Sequence, residues 1–179
     1  MNGVSARPPC QASEREVRLS RARYLIRPLL SADESGLVDM FSRSSPEDIR
    51  LRCLGTIKDF PHLAAKRLAG CDSTHEVALV AIDAEASGPG EIVGVVHLVD
   101  EPTEPGTAEF DIMVRTDMKG HGVGFQLMKD VLAQARRRGL KKIVGYVFYE
   151  NRTMLLMASE LGFGLEHVET GIVRVTAQL

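Results

Sequence analysis

The chain has 179 residues, with 22 Lys plus Arg against 24 Asp plus Glu and a formal charge of −2. That length suits one domain able to bury its own core, and 44% hydrophobic with 26% charged residues excludes wholesale disorder. The near-neutral balance lacks the basic excess of a dedicated nucleic-acid binder, and the longest aliphatic run, residues 77–82, is far short of the roughly 20 residues of a membrane helix. Residues 1–20 have no apolar h-region and do not read as a secretory signal. Cys10, Cys53 and Cys71 are odd in number and lack C-x-x-C spacing, so neither a disulfide framework nor a zinc site is expected. The five histidines contain no H-x-x-x-H pair to seat a metal. The expected setting is the cytoplasm, with free thiols and no metal, nucleic acid or membrane partner.

Residues 1–21 carry two prolines, several charges and no periodicity, and read as a flexible lead-in to a domain spanning 22–179. A short strand is expected at residues 24–27, closed by Pro28. Ser31 with Glu34 three residues on predicts a capping box opening a helix through Leu37, Met40 and Phe41. Ser45-Pro46-Glu47-Asp48 marks a second helix start, with proline first and acids in the first turn. A third helix is expected over residues 62–68. The period then changes: residues 77–82 and 92–99 are apolar and β-branched, joined by a Gly/Pro-rich hairpin loop at 86–90.

Across residues 107–115 the alternation is clean, with Ala108, Phe110, Ile112 and Val114 facing one way and Glu109, Asp111, Met113 and Arg115 the other. A helix follows from Gly122 to Arg138, its stripe formed by Leu127, Met128, Val131, Leu132 and Ala135, with Gly139 as its stop. A strand at 142–148, a helix at 151–161 ended by Gly162, and short strands at 165–168 and 172–175 complete the chain. The order predicts an α/β (α+β) domain with a mixed central sheet of about six to seven strands flanked by helices. The strands at 107–115 and 142–148 flank a helix and should lie parallel.

The segment Lys119-Gly120-His121-Gly122-Val123-Gly124 joins a strand's C-terminal end to a helix N-terminus. Glycine permits close backbone approach and positive φ, the first N–H groups of a helix lack internal partners, and the dipole favours an anion such as a phosphate. A Walker A loop would need Lys-Ser/Thr after Gly120, where His121 stands, and a dinucleotide fingerprint would need glycine at Phe125 or Leu127. By itself the loop fits an anion cradle and a ligand-free strand–helix turn equally.

Lys119-x-x-Gly122-x-Gly124 resembles the acetyl-coenzyme A motif Q/R-x-x-G-x-G/A of the GNAT N-acetyltransferases, with lysine in the first position. Ile26-Arg27-Pro28-Leu29 is similar to that family's first strand, and Asn151 with Leu161-Gly162-Phe163 to its second motif. Ser45-Pro46-Glu47-Asp48-Ile49-Arg50-Leu51-Arg52 and Ala108-Glu109-Phe110, followed by Val114-Arg115-x-Asp117-x-Lys119-Gly120, further resemble the acetyltransferase domain of Pat-type bacterial protein lysine acetyltransferases. The resemblance implies acetyl-CoA as cosubstrate, with its pantetheine arm along Ile112, Met113 and Val114, its pyrophosphate over Lys119, Gly120, His121, Gly122, Val123 and Gly124, and a contact from Asn151. It also implies Glu109 as general base, since an amine of pKa roughly 10.4 is protonated at neutral pH. Asp111, on the same strand face roughly 6.6–6.8 Å along, is the second catalytic candidate. A backbone N–H near Val114 would serve the developing oxyanion.

The tyrosine that many members place seven residues after the asparagine is here Ala158, a gap shared with Pat-type enzymes; Tyr146 and Tyr149 are the substitutes. His97 reads as a hydrogen-bonded core histidine, sharing its strand face with Val93, Val95 and Val99. The cluster Arg136–Arg138 with Lys141 and Lys142 fits either a coenzyme A phosphate contact or a solvated helix end. Three functions stay open: acetyl transfer to a protein lysine, acetyl transfer to a small-molecule amine, and non-catalytic acetyl-CoA sensing. Family members are often homodimers, though no interface is legible in this chain.

Overall fold

The structure, a computed structural model, describes residues 14–20, 22–53, 60–70, 74–86 and 90–179, with the backbone alone at Cys53 and Phe60. Cys10, Cys71, the body of the 86–90 loop and residues 1–13 of the expected lead-in lie outside the described residues. In chain order the strands and helices are β1 (Arg15–Leu19), β2 (Ala22–Pro28), α1 (Glu34–Ser42), α2 (Pro46–Cys53), α3 (Phe60–Ala69), β3 (Glu76–Asp83), β4 (Glu91–Asp100), β5 (Thr107–Val114), α4 (Val123–Arg137), β6 (Lys142–Phe148), α5 (Arg152–Glu160), β7 (Gly164–Glu169) and β8 (Ile172–Gln178). No helix among the described residues is long and apolar enough to cross a membrane.

The eight strands form one sheet in the order β1-β2-β3-β4-β5-β6-β8-β7, antiparallel throughout except for β5 against β6. The strand beyond the expected six to seven is β1, which lies inside the stretch expected as a flexible lead-in. It pairs with β2, and Val17 and Leu19 pack against the core between its charged residues. One core cluster lies between the sheet and α4 and α5, where Leu127, Met128, Val131 and Ala135 meet Val96, Leu98 and Phe110. The other lies on the opposite face under α1 and α3, where Leu37, Met40, Phe41 and Leu68 meet Val80, Val95 and Met113. Each β5 side chain falls on the face its alternation predicts.

Two local expectations are corrected. The Ser31–Glu34 capping box does not form: residues Ser31–Asp33 make a 3-10 turn, and Asp33 accepts from the Leu30 N–H at 2.8 Å and from Arg27 at 2.7 and 2.8 Å. The nearby guanidinium draws in the aspartate and displaces the serine cap. In β4, Val93 packs with the α4 cluster, whereas Val95 packs with the α1 cluster. A bulge where Ala81 pairs Gly94 but Ile82 pairs Ile92 breaks the alternation there. His97 itself is fully buried and bonded to Glu76, as a core histidine should be.

Candidate active site

The crossover through α4 makes β5 and β6 parallel, but they pair only through Thr107, Ala108 and Glu109 against Lys142, Ile143 and Val144. Beyond Glu109 the two strands keep their outer neighbours, β4 and β8, and lose each other. The resulting gap opens into a cavity of about 770 Å³. Its walls take Glu109, Asp111, Ile112, Met113 and Val114 from β5, Lys119, Gly120 and Gly122 from the following loop, Val123 and Gly124 from α4, and Asn151 ahead of α5. Of the catalytic and acetyl-CoA-binding residues inferred from the resemblance, His121 is the exception: it is exposed, outside the cavity wall, and its carbonyl accepts from the Ser20 hydroxyl at 3.4 Å.

The loop is shaped by its glycines. Gly120 and Gly122 have φ of 78° and 87°, in the left-handed region that side chains disfavour, and Gly122 is the N-cap of α4. Gly124 lets the helix close on β5, since a Cβ there would sit 3.3 Å from Val114 Cγ2. The first N–H groups of α4 therefore face an opening with the positive end of a 15-residue helix behind them. Lys119 adds a cation, ion-paired with Asp48 from α2. Burial alone would raise the Asp48 carboxyl's pKa; hydrogen bonds from Lys119 and Thr116 outweigh it and hold the group below the usual range. Asn151 caps α5 by accepting from the Met154 N–H at 3.2 Å, which leaves its amide NH2 as a donor.

The two carboxylates of β5 differ in setting. Glu109 is exposed at the residue level, yet partial desolvation of its carboxyl, then the charges of Asp111 and Glu101, push its pKa above the usual glutamate value. Burial works the same way on Asp111, but Arg52 and His97 overrule it and keep this carboxyl below its usual value. A raised pKa suits Glu109 to accept a proton; Asp111 is held as a fixed charge.

The sequence reading missed that α2 roofs the cavity. Asp48, Leu51 and Arg52 line it, Asp48 reaches Lys119, Arg52 reaches Asp111, and Arg50 reaches Glu150 beside α5. The only signal was the segment 45–52 quoted for the Pat-type likeness. Tyr146 lines the cavity and is 40% exposed, whereas Tyr149 stacks instead with Arg152 and His167. Ala158 is buried in the core. Arg138 and Lys142 pair with Asp100 and Glu104 at the far end of α4, roughly 22 Å from the loop at 1.5 Å per residue. Among the described residues no group of three or more His, Cys, Asp or Glu is placed to hold a metal.

The sequence matches the acetyltransferase (GNAT) family over residues 43–163. It is 30% identical over 139 residues to an acetyltransferase of Pseudomonas aeruginosa, covering 78% of this chain and 74% of that protein. It is also 35% identical over 88 residues to an L-methionine sulfoximine/L-methionine sulfone acetyltransferase of P. aeruginosa, about half of each chain (48% and 49%). In fold it is similar to the GNAT domain of S. lividans PAT, with a TM-score of 0.81 at 24% identity over 93% and 97% of the two chains. It likewise resembles yncA from Salmonella typhimurium, solved with acetyl-CoA, with a TM-score of 0.63 at 20% identity over 87% and 94%. The chain belongs to the GNAT family of acetyltransferases, and its cosubstrate is acetyl-CoA.

Proposed function

We propose that the protein is an N-acetyltransferase that transfers the acetyl group of acetyl-CoA to a lysine side chain of another protein in the cytoplasm, with Glu109 as the general base. The observation that carries this reading is the position of Glu109. It stands exposed where the cavity meets a sheet face on which Val144 and Tyr146 of β6, Arg174 and Thr176 of β8 and Glu166 of β7 line a shallower groove of about 510 Å³. Tyr146 borders both hollows. An opening of that kind suits a side chain presented by a folded partner better than a small molecule enclosed on all sides.

The cosubstrate brings an acetyl group activated as a thioester. The residues present fit it: Lys119 and the first N–H groups of α4 would hold its diphosphate, and the unpaired edge of β5 would bind its amide-bearing arm. At neutral pH a lysine amine is protonated, so it becomes a nucleophile only after losing a proton. Glu109 takes that proton, and its raised pKa makes it a better acceptor than an ordinary glutamate. On the cavity wall Asp48, Glu109, Asp111, Glu150 and Glu160 outnumber Arg52, Lys119 and Arg152, a balance that favours a cationic acceptor. Tyr146, the tyrosine of the cavity wall, is assigned to return a proton to the departing thiolate.

The relative that acts on methionine sulfoximine and methionine sulfone supports a second reading, transfer to a small amine. Labelled acetyl-CoA supplied with a cell extract and, separately, with a panel of small amines separates the two. Label on protein lysines that disappears with Glu109→Gln is expected. Label on small amines alone rejects the protein-lysine reading, and coenzyme A binding without thiol release from any acceptor rejects catalysis.

A further inference from the structure

One row of ionisable side chains crosses the α1 face of the sheet and ends beside Glu109. It runs from Glu76 on β3 through His97 on β4 to Asp111 on β5, and is closed by Arg52 from α2. His97 and Asp111 are direct cross-strand partners, so their side chains share a face. Glu76 Oε2 lies 2.7 Å from His97 Nε2, and Asp111 Oδ2 lies 3.7 Å from His97 Nδ1. Arg52 pairs with the other Asp111 oxygen, its guanidinium 5.5 Å from the centre of the Phe41 ring. His97 is fully buried and the Arg52 side chain is 9% exposed. Stability alone accounts poorly for such a row, because well-packed apolar residues generally replace buried ion pairs at no loss.

We propose that Glu76, His97 and Arg52 are positioning residues that hold Asp111 as a fixed anion beside Glu109, where its charge strengthens Glu109 as a base and draws in the cationic acceptor. This rests on the reading of Glu109 as the base. Among the described residues, the ionisable groups facing one another along the row are these. Asp111 meets Arg52 from α2 and His97 from β4; His97 meets Glu76 from β3 and Asp111 from β5; Glu109 meets Asp111 on its own strand and Glu101 from the β4–β5 connection. Asp111 touches the cavity directly, whereas His97 and Glu76 act through it.

The test is a titration of side-chain carboxyls in ¹³C-labelled resting protein, followed by NMR. Asp111→Asn should lower the Glu109 midpoint by roughly 0.5–1 pH unit, the effect of one charge about 6.7 Å away at an effective dielectric of about 40–80. Arg52→Gln and His97→Gln should both raise the Asp111 midpoint, since each loses an interaction that favours the charged carboxyl. With the best acceptor from the labelling screen, Asp111→Asn should also move the acid limb of kcat/KM to lower pH and raise the acceptor KM. A purely structural role would reduce stability without moving either midpoint. An unmoved Glu109 midpoint in Asp111→Asn overturns the proposal, as does an Asp111 midpoint indifferent to both Arg52→Gln and His97→Gln. Arg52→Gln decides the matter if His97→Gln does not fold. Because the titration needs no acceptor, its result stands whether or not the screen finds one.

Discussion

Lys119 and Asp48 should pull coenzyme A affinity in opposite directions. In the free protein the Lys119 ammonium is paired with Asp48, and Asp48 is tied to Thr116 Oγ1 at 2.5 Å. A diphosphate bound at the start of α4 gains the lysine's charge and meets the aspartate's. Two unit charges 4 Å apart interact by about 1 kcal/mol in water and about 4 kcal/mol near a protein surface. The Lys119 side chain is 48% exposed, so the lower end of that range applies, about 1–1.5 kcal/mol. Lys119→Ala should therefore weaken coenzyme A binding by roughly tenfold. Asp48→Asn keeps the shape of the side chain and removes its charge, and should tighten binding by roughly three- to tenfold. Isothermal titration of coenzyme A at 50 and 300 mM salt is the assay, and both effects should shrink at the higher salt. Weaker binding in Asp48→Asn would refute the reasoning, since Asp48 would then serve the ligand rather than compete with it.

Gly145→Ala would bring a Cβ within 2.6 Å of two Phe110 ring atoms and should cost about 1–3 kcal/mol by overpacking. Thermal denaturation reads this, and Phe110→Leu in the same chain should recover part of it. Asp33 is held below its usual pKa: burial pushes it up, but hydrogen bonds from Arg27 and the Leu30 N–H outweigh that. It therefore adds stability above its unfolded pKa of about 3.9, lost as pH falls through the lower folded value. Asp33→Asn should cost about 2 kcal/mol at pH 7, with the gap from the native chain closing in denaturant melts as the pH falls below the unfolded value. Tyr146→Phe should lower kcat by on the order of 100-fold with coenzyme A affinity unchanged, measured by thiol release.

Element type and order were legible because the relevant physics is local. The stripe of α4, the alternation of β5 and the extent of β6 follow from periods of 3.6 and 2. Val17 and Leu19 alternate with charges in the same way, but five residues among polar neighbours give too short a signal, and β1 becomes a strand only by pairing with β2. The capping box failed because Arg27, four positions before Ser31, supplies a charge that local spacing does not register.

The chain's own pattern determined the mixed sheet, the glycine loop with Lys119 at the start of α4, and Glu109 and Asp111 on one strand face. These are short-range properties of the covalent sequence. Tertiary structure alone decided that β5 and β6 part after Glu109, because the parting depends on what each strand pairs with on its far side. It also decided that α2 closes the cavity, that His121 stands outside it, and that Asp111 is anchored while Glu109 is not. Arg52 and Asp111 are 59 residues apart in the chain, and Lys119 and Asp48 are 71 apart. A carboxylate's basicity depends on charges and burial within a few ångströms, and only the folded chain brings those neighbours together.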